Sequence, residues 1–167
     1  MSEEITALVD GLKNAMRFAP SSVAVVTAKY GEETNGLTAT SFCSVSMDPP
    51  SLLICVNQDS NTNRIIKESN SFCVNLLSTE QIDASNSFSS SKPGDEKIAN
   101  SNSTLRELNG VPAIENCVAN LVCDVASAIE SGTHTIFVGN ITHTEVVDDK
   151  EPLVYGLQAY GKFTDRI

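Results

Sequence analysis

The run "GLTATSFCSVSMDPP", residues 36–50, carries Thr38, Thr40, Ser44 and Ser46 at even offsets. A single strand would place all four hydroxyls on one face. Such a face is either a solvated sheet surface or a row of hydrogen-bonding groups for a flat ligand with polar edges. Further on, "NQDSNTNRII" puts Ser60 where a helix would be capped, with Asn61, Thr62 and Asn63 in its first turn. Ser is a preferred N-cap, and a helix start offers free N–H groups and a positive dipole end to a phosphate. Taken singly, each feature has an ordinary structural explanation.

Other chemistries lack their residues. There is no G-x-G-x-x-G and no phosphate-binding P-loop, so neither standard nucleotide fold is indicated. His134 and His143 are nine positions apart in one predicted strand. An odd offset places them on opposite faces, which rules out a shared metal. No strained nucleophile turn accompanies either histidine. The five cysteines, Cys43, Cys55, Cys73, Cys117 and Cys123, show no C-x-x-C spacing. They read as small buried hydrophobes in a reducing compartment.

The 167 residues suit one domain, 1–167, with 41% hydrophobic residues for a core. Twenty-one acidic against 11 basic residues leave a net charge of −10. That field repels a nucleic-acid backbone but leaves room for a small anion held by local N–H groups. No apolar run reaches the ~20 residues of a membrane span. The acidic start "MSEEITALVDGLKNAMRFAP" lacks a signal-peptide layout. A cytoplasmic location is expected.

Strands dominate the elements that must position these groups. A 3.6-residue apolar spacing predicts a helix over 4–18, closed by Pro20. "SVAVVTAKY" and the hydroxyl run read as an antiparallel hairpin around a six-residue "GEETNG" loop, and "SLLICVN" as a strand buried on both faces. A short helix is expected at 62–68 with an exit at Asn70, then the strand "SFCVNLL" and a helix over 79–90. Residues 91–103 read as a long surface loop. In the last third, Cys117, Ala119, Leu121, Cys123 and Val125 alternate on one side of a strand. "ESGT" turns it into "HTIFVGNITHTEVV". Antiparallel strands of this number favour a closed or partly open barrel.

In this order, the motifs resemble the short-chain flavin reductases. The matching residues are Gly36, Thr38, Ser41, Phe42, Ser44, Val45, Ser46 and Asp48-Pro49-Pro50. Ser60 and Thr62 follow, then Val74-Asn75-Leu76. "GTHTIFVGNI" is similar to the family's G-D-H-x-I-x-x-G-x-V, and "PLVYGLQAY" to its Tyr-containing C-terminal ending. Thr133 stands where the family has Asp, and Ile98 where an aromatic is common. The likeness runs from about Leu12 to Tyr160.

The resemblance implies a mainly β fold, the FMN-binding split barrel, an antiparallel Greek-key β-barrel with flanking helices. It implies hydride transfer from NADH or NADPH to FMN or FAD, a homodimer, and a partner flavin-dependent monooxygenase. Carried over by position, Thr38, Ala39, Thr40 and Ser41 would border the flavin ring, with Ser44 in the same motif. Cys55, Val56 and Asn57 would follow the ring and ribityl chain. Ser60, Asn61 and Thr62 would hold the phosphate, with Phe88 and Lys97 also at the flavin. His134 would face the nicotinamide, with Tyr155 and Tyr160 nearby. Two other readings use the same fold: an FMN-binding electron carrier that does not oxidise NAD(P)H, and a non-catalytic binding module.

Overall fold

The computed structural model describes residues 2–164. Helix α1 spans Glu3–Met16, with Ser2 accepting from the Ile5 N–H as its cap. Its apolar stripe fits the predicted helix, yet none of its residues is buried. The stripe is left largely uncovered, with Leu8 69% and Leu12 64% exposed, and Leu12 and Met16 line a cavity with Thr40, Ser41 and Tyr155.

A two-residue strand, β1 (Ser21–Ser22), leads into β2 (Ala24–Tyr30) and β3 (Glu33–Ala39). Tyr30 pairs with Glu33, so only Gly31 and Glu32 form the turn. The expected six-residue loop is corrected to two. Gly31 has φ +58°, a value glycine adopts without steric cost. Most of the polar "GEETNG" stretch is therefore strand.

The hydroxyl run is not one strand. After Ala39 the chain crosses at Thr40 and Ser41 and resumes as β4 (Phe42–Met47). The turn at Asp48-Pro49 then leads to β5 (Pro50–Asn57), with Met47 paired to Pro50. Next come α2 (Asn61–Ser69), β6 (Ser71–Leu76), α3 (Ile82–Phe88) and α4 (Gly94–Asn100). The expected 91–103 loop thus contains a helix. Pro93 precedes α4 and Asp95 and Glu96 occupy its first turn, residues that suit a helix start. A hairpin of β7 (Leu105–Leu108) and β8 (Val111–Ile114) follows, then β9 (Ala119–Ser131), β10 (His134–Val146), β11 (Leu153–Gly156) and β12 (Ala159–Lys162).

Seven strands form an antiparallel sheet in the order β3-β2-β6-β9-β10-β5-β4. The consecutive β3 and β4 lie at its two ends. The sheet curls so that residues of β2, β5, β6 and β10 share one core with α2, including Val26, Ile54, Ile66, Phe72 and Phe137. The two end strands do not pair, so the barrel stays split between them. Ser41 ties the crossing to β5, its carbonyl accepting from Cys55 N–H and its hydroxyl donating to the Cys55 carbonyl, both at 3.0 Å. The expected barrel with flanking helices is the observed architecture.

Cys73, Cys117 and Cys123 are buried as expected, Cys55 is half-buried, and Cys43 is exposed on the end strand β4. Most of β4 is left uncovered, with four of its six residues exposed, which corrects the reading of Cys43 as buried. Burial pushes the Cys117 thiol up to about 11 and that of Cys123 up to about 12, so both stay protonated at neutral pH. No helix among the described residues is long and apolar enough to cross a membrane.

Candidate flavin-binding site

Beside β3 and the crossing that follows it lies a cavity of about 640 Å³, within the ~300–1,000 Å³ typical of small-molecule sites. One wall is the end of β3 and the crossing, formed by Thr38, Ala39, Thr40 and Ser41. Thr38 donates its hydroxyl to the Ser85 carbonyl at 2.6 Å. That side chain holds α3 against β3, leaving Thr38 its backbone for a ligand. Gly36 lets the same helix close in, since a Cβ there would lie 3.0 Å from the Phe88 ring.

The floor comes from β5, where Cys55 and Asn57 line the cavity. Val56 lies between them and points the opposite way, fully buried in the core, as strand alternation requires. Beyond β5, Ser60 caps α2. Its hydroxyl accepts from Asn63 N–H at 3.2 Å and donates to the Asn57 carbonyl at 2.8 Å. Ser60 and Asn61 line the cavity. Thr62 is buried beneath them and adds no side chain to the surface. The helix start leaves N–H groups without intrahelical partners beside this cavity, donors of the kind that suit an anion.

His134 opens β10 directly opposite Asn57 and lines the cavity. Its Nδ1 lies 2.9 Å from Thr133 Oγ1, and its carbonyl accepts from Gln58 Nε2 at 3.1 Å. His143 is nine residues further along the strand, a contour of at most roughly 30 Å at ~3.3 Å per strand residue. It faces Glu145 at 3.7 Å, and Glu145 also takes Arg106. Two register irregularities between β9 and β10 separate the histidines.

Phe88 and Lys97 close the far wall. Lys97 is buried, donates to the Gly36 carbonyl at 3.0 Å, and has its pKa lowered by that burial. Eleven of the expected residues thus surround one space. Ser44 lies outside it, exposed on β4. Tyr155 lines an adjoining apolar cavity of about 550 Å³ that shares Thr40 and Ser41 with the first. Tyr160 bonds Ser85 and Asn86 through its hydroxyl and packs edge-on against Tyr155 at 5.4 Å.

Sequence reading missed Asn35, Leu37, Asp59 and the stretch from Ser89 to Lys92, all of which line the cavity. Length was the available signal for Ser91 and Lys92, since long loops in compact domains are often functional. Nothing in local pattern marks Asp59.

The cavity thus combines hydroxyl and amide edges, an apolar wall, the N–H groups of a helix start, a buried ammonium and one imidazole. Planar aromatic ligands bearing a phosphate fit this donor set. Residues 16–164 match the flavin reductase like domain. The NADH-dependent FAD reductase of Streptomyces globisporus is 38% identical over 146 residues, covering 86% of this chain and 80% of that protein. The reductase component of the FADH(2)-dependent resorcinol hydroxylase of Rhizobium sp. (strain MTP-10005) is 34% identical over 145 residues, with the same coverage of 86% and 80%. Among solved structures, the NADH:FAD oxidoreductase of Streptomyces globisporus C-1027, in complex with NAD and FAD fragments, superimposes with a TM-score of 0.83 at 31% identity. That match covers 92% of this chain and 91% of the other. With the family match over residues 16–164 and the fold overlap in agreement, the chain belongs to the flavin reductase like domain family.

Proposed function

We propose that this protein is a flavin reductase that uses NADH to reduce FMN or FAD and releases the reduced flavin to a partner monooxygenase. One observation carries the reading: a single cavity joins the helix start at Ser60 and Asn61 to the crossing at Thr38–Ser41 and to His134. The names of the relatives support it, one being an NADH-dependent FAD reductase and another the reductase component of a hydroxylase.

Bound flavin and nicotinamide would supply the hydride acceptor and donor, so the cofactors would carry the electronic work. The chain's own task is to hold two rings in contact, a proximity effect. Ser60 and the α2 N–H groups would bind the phosphate. The amide edge from Thr38 to Ser41, with Cys55 and Asn57, would orient the ring. Phe88 would exclude water from one side and Lys97 would supply a fixed positive charge. His134, held by Thr133, would position the nicotinamide as a hydrogen-bonding group. A nucleophile–base pair has no role in such a reaction.

The functional unit we propose is a homodimer in the cytoplasm. The exposed apolar stripe of α1, with Ile5, Leu8, Leu12 and Met16, supports a second copy covering it. Five unpaired cysteines support a reducing compartment. Steady-state assays test the activity. NADH oxidation in air is expected to depend on added FMN or FAD and to saturate with it; oxidation that ignores added flavin contradicts the proposal.

A further inference from the structure

The start of α2 offers hydrogen-bond donors to a phosphate but little positive charge. Asp59 precedes the capping Ser60, is exposed, and lines the same cavity as Ser60 and Asn61. Its N–H donates to Asn57 Oδ1 at 2.8 Å, which fixes the turn. Its carboxylate takes part in no ion pair among the described residues. The first cation of α2, Arg64, is already engaged: it lies 2.6 Å from Glu33 and 2.7 Å from Glu68. The cationic residues lining the cavity, Lys92 and Lys97, come from α4 and the segment before it. Lys97 is turned to the Gly36 carbonyl.

We propose that Asp59 is a specificity-determining residue that weakens the grip of the α2 start on the flavin phosphate, so that flavin passes through as substrate and product instead of staying bound. The inference rests on the flavin-reductase reading above. The N–H groups of the helix start orient the phosphate, while the carboxylate beside them repels it. A phosphate monoester carries nearly two negative charges. At several ångströms in a solvent-exposed site, repulsion by one carboxylate lowers affinity on the order of five- to tenfold. Weaker affinity among related complexes is expressed chiefly as faster dissociation. A protein that hands reduced flavin to another enzyme benefits from that exchange.

The test is equilibrium binding of oxidised FMN and of riboflavin, which has the ring without the phosphate, to the full-length protein and to Asp59→Asn. The expected result is FMN binding about five- to tenfold tighter in Asp59→Asn, with riboflavin binding unchanged. The difference should shrink as salt is raised. Charge reversal in Asp59→Lys should move FMN further in the same direction. Equal FMN affinity in the original and Asp59→Asn proteins, or equal tightening for riboflavin, overturns the role of Asp59. Failure of the original protein to bind either compound overturns the flavin-reductase reading, and this proposal with it.

Discussion

The hydroxyl of Thr133 lies 2.9 Å from Nδ1 of His134, so the residue before the imidazole orients the ring through an uncharged group. The other ring nitrogen makes no hydrogen bond among the described residues, and a hydrogen bond at one nitrogen sets the role of its pair. Thr133→Val removes this contact with little change of volume. A net hydrogen bond is worth ~0.5–1.5 kcal/mol, so the KM for NADH should rise by up to about tenfold while kcat changes less. Thr133→Ser should restore the original KM. Steady-state kinetics of the two variants with NADH varied at saturating FMN checks this.

Thr135, the next residue, is fully buried and its hydroxyl has no hydrogen-bond partner among the described residues. An unsatisfied buried polar group costs about 1–3 kcal/mol. Thr135→Val keeps the shape and removes the group. We expect stability to increase by about 1 kcal/mol, read from the urea midpoint at unchanged m-value, with NADH oxidation unaltered.

Lys97 makes stability depend on alkaline pH. Burial lowers its pKa, so over part of the alkaline range the unfolded chain binds a proton that the folded chain does not. Stability from this residue rises with pH between its lowered folded value and the unfolded value of about 10.4. Below that window the folded protein bears the full cost of a buried ammonium. Subtracting the pH–stability curve of Lys97→Met from that of the original protein should give a difference that grows as pH climbs through this window. A flat difference would contradict the burial of a charged Lys97.

The stripe on α1 predicts an assembly. If a second copy covers Leu8 and Leu12, the pair Leu8→Asp and Leu12→Asp should halve the mass measured by sedimentation. Because neither side chain is buried, far-UV circular dichroism should keep its strand signature. A chain that is already monomeric before substitution contradicts the dimer.

Several of these positions are legible in the chain itself. Ser60 reads as a cap because capping is local: residue type and three following positions suffice. The β9–β10 hairpin is legible because alternation runs through both strands and Gly132 marks the turn between them. The break at Thr40 and Ser41 is not, because hydroxyls at even offsets look the same whether they lie on one strand or on two. Which strand pairs with which is a long-range property, and here it sends Thr38 and Ser44 to opposite ends of the sheet. Helix α4 spans only seven residues, too few for a 3.6-residue period to show. On α1 the period is clear, but it says only that a face is apolar, not what covers it. Asp59 is silent for a different reason: its effect comes from the cavity it lines and from the ion pairs that occupy Arg64.

An anaerobic single turnover tests the proposed hydride transfer beside His134. Protein with bound FMN is mixed with NADH while the absorbance of oxidised flavin is followed, for the original chain and for His134→Ala. Rapid bleaching in the original protein, slowed at least tenfold in His134→Ala, is the predicted result. Bound flavin that keeps its absorbance with both NADH and NADPH would contradict the reductase and leave an electron carrier on the same fold.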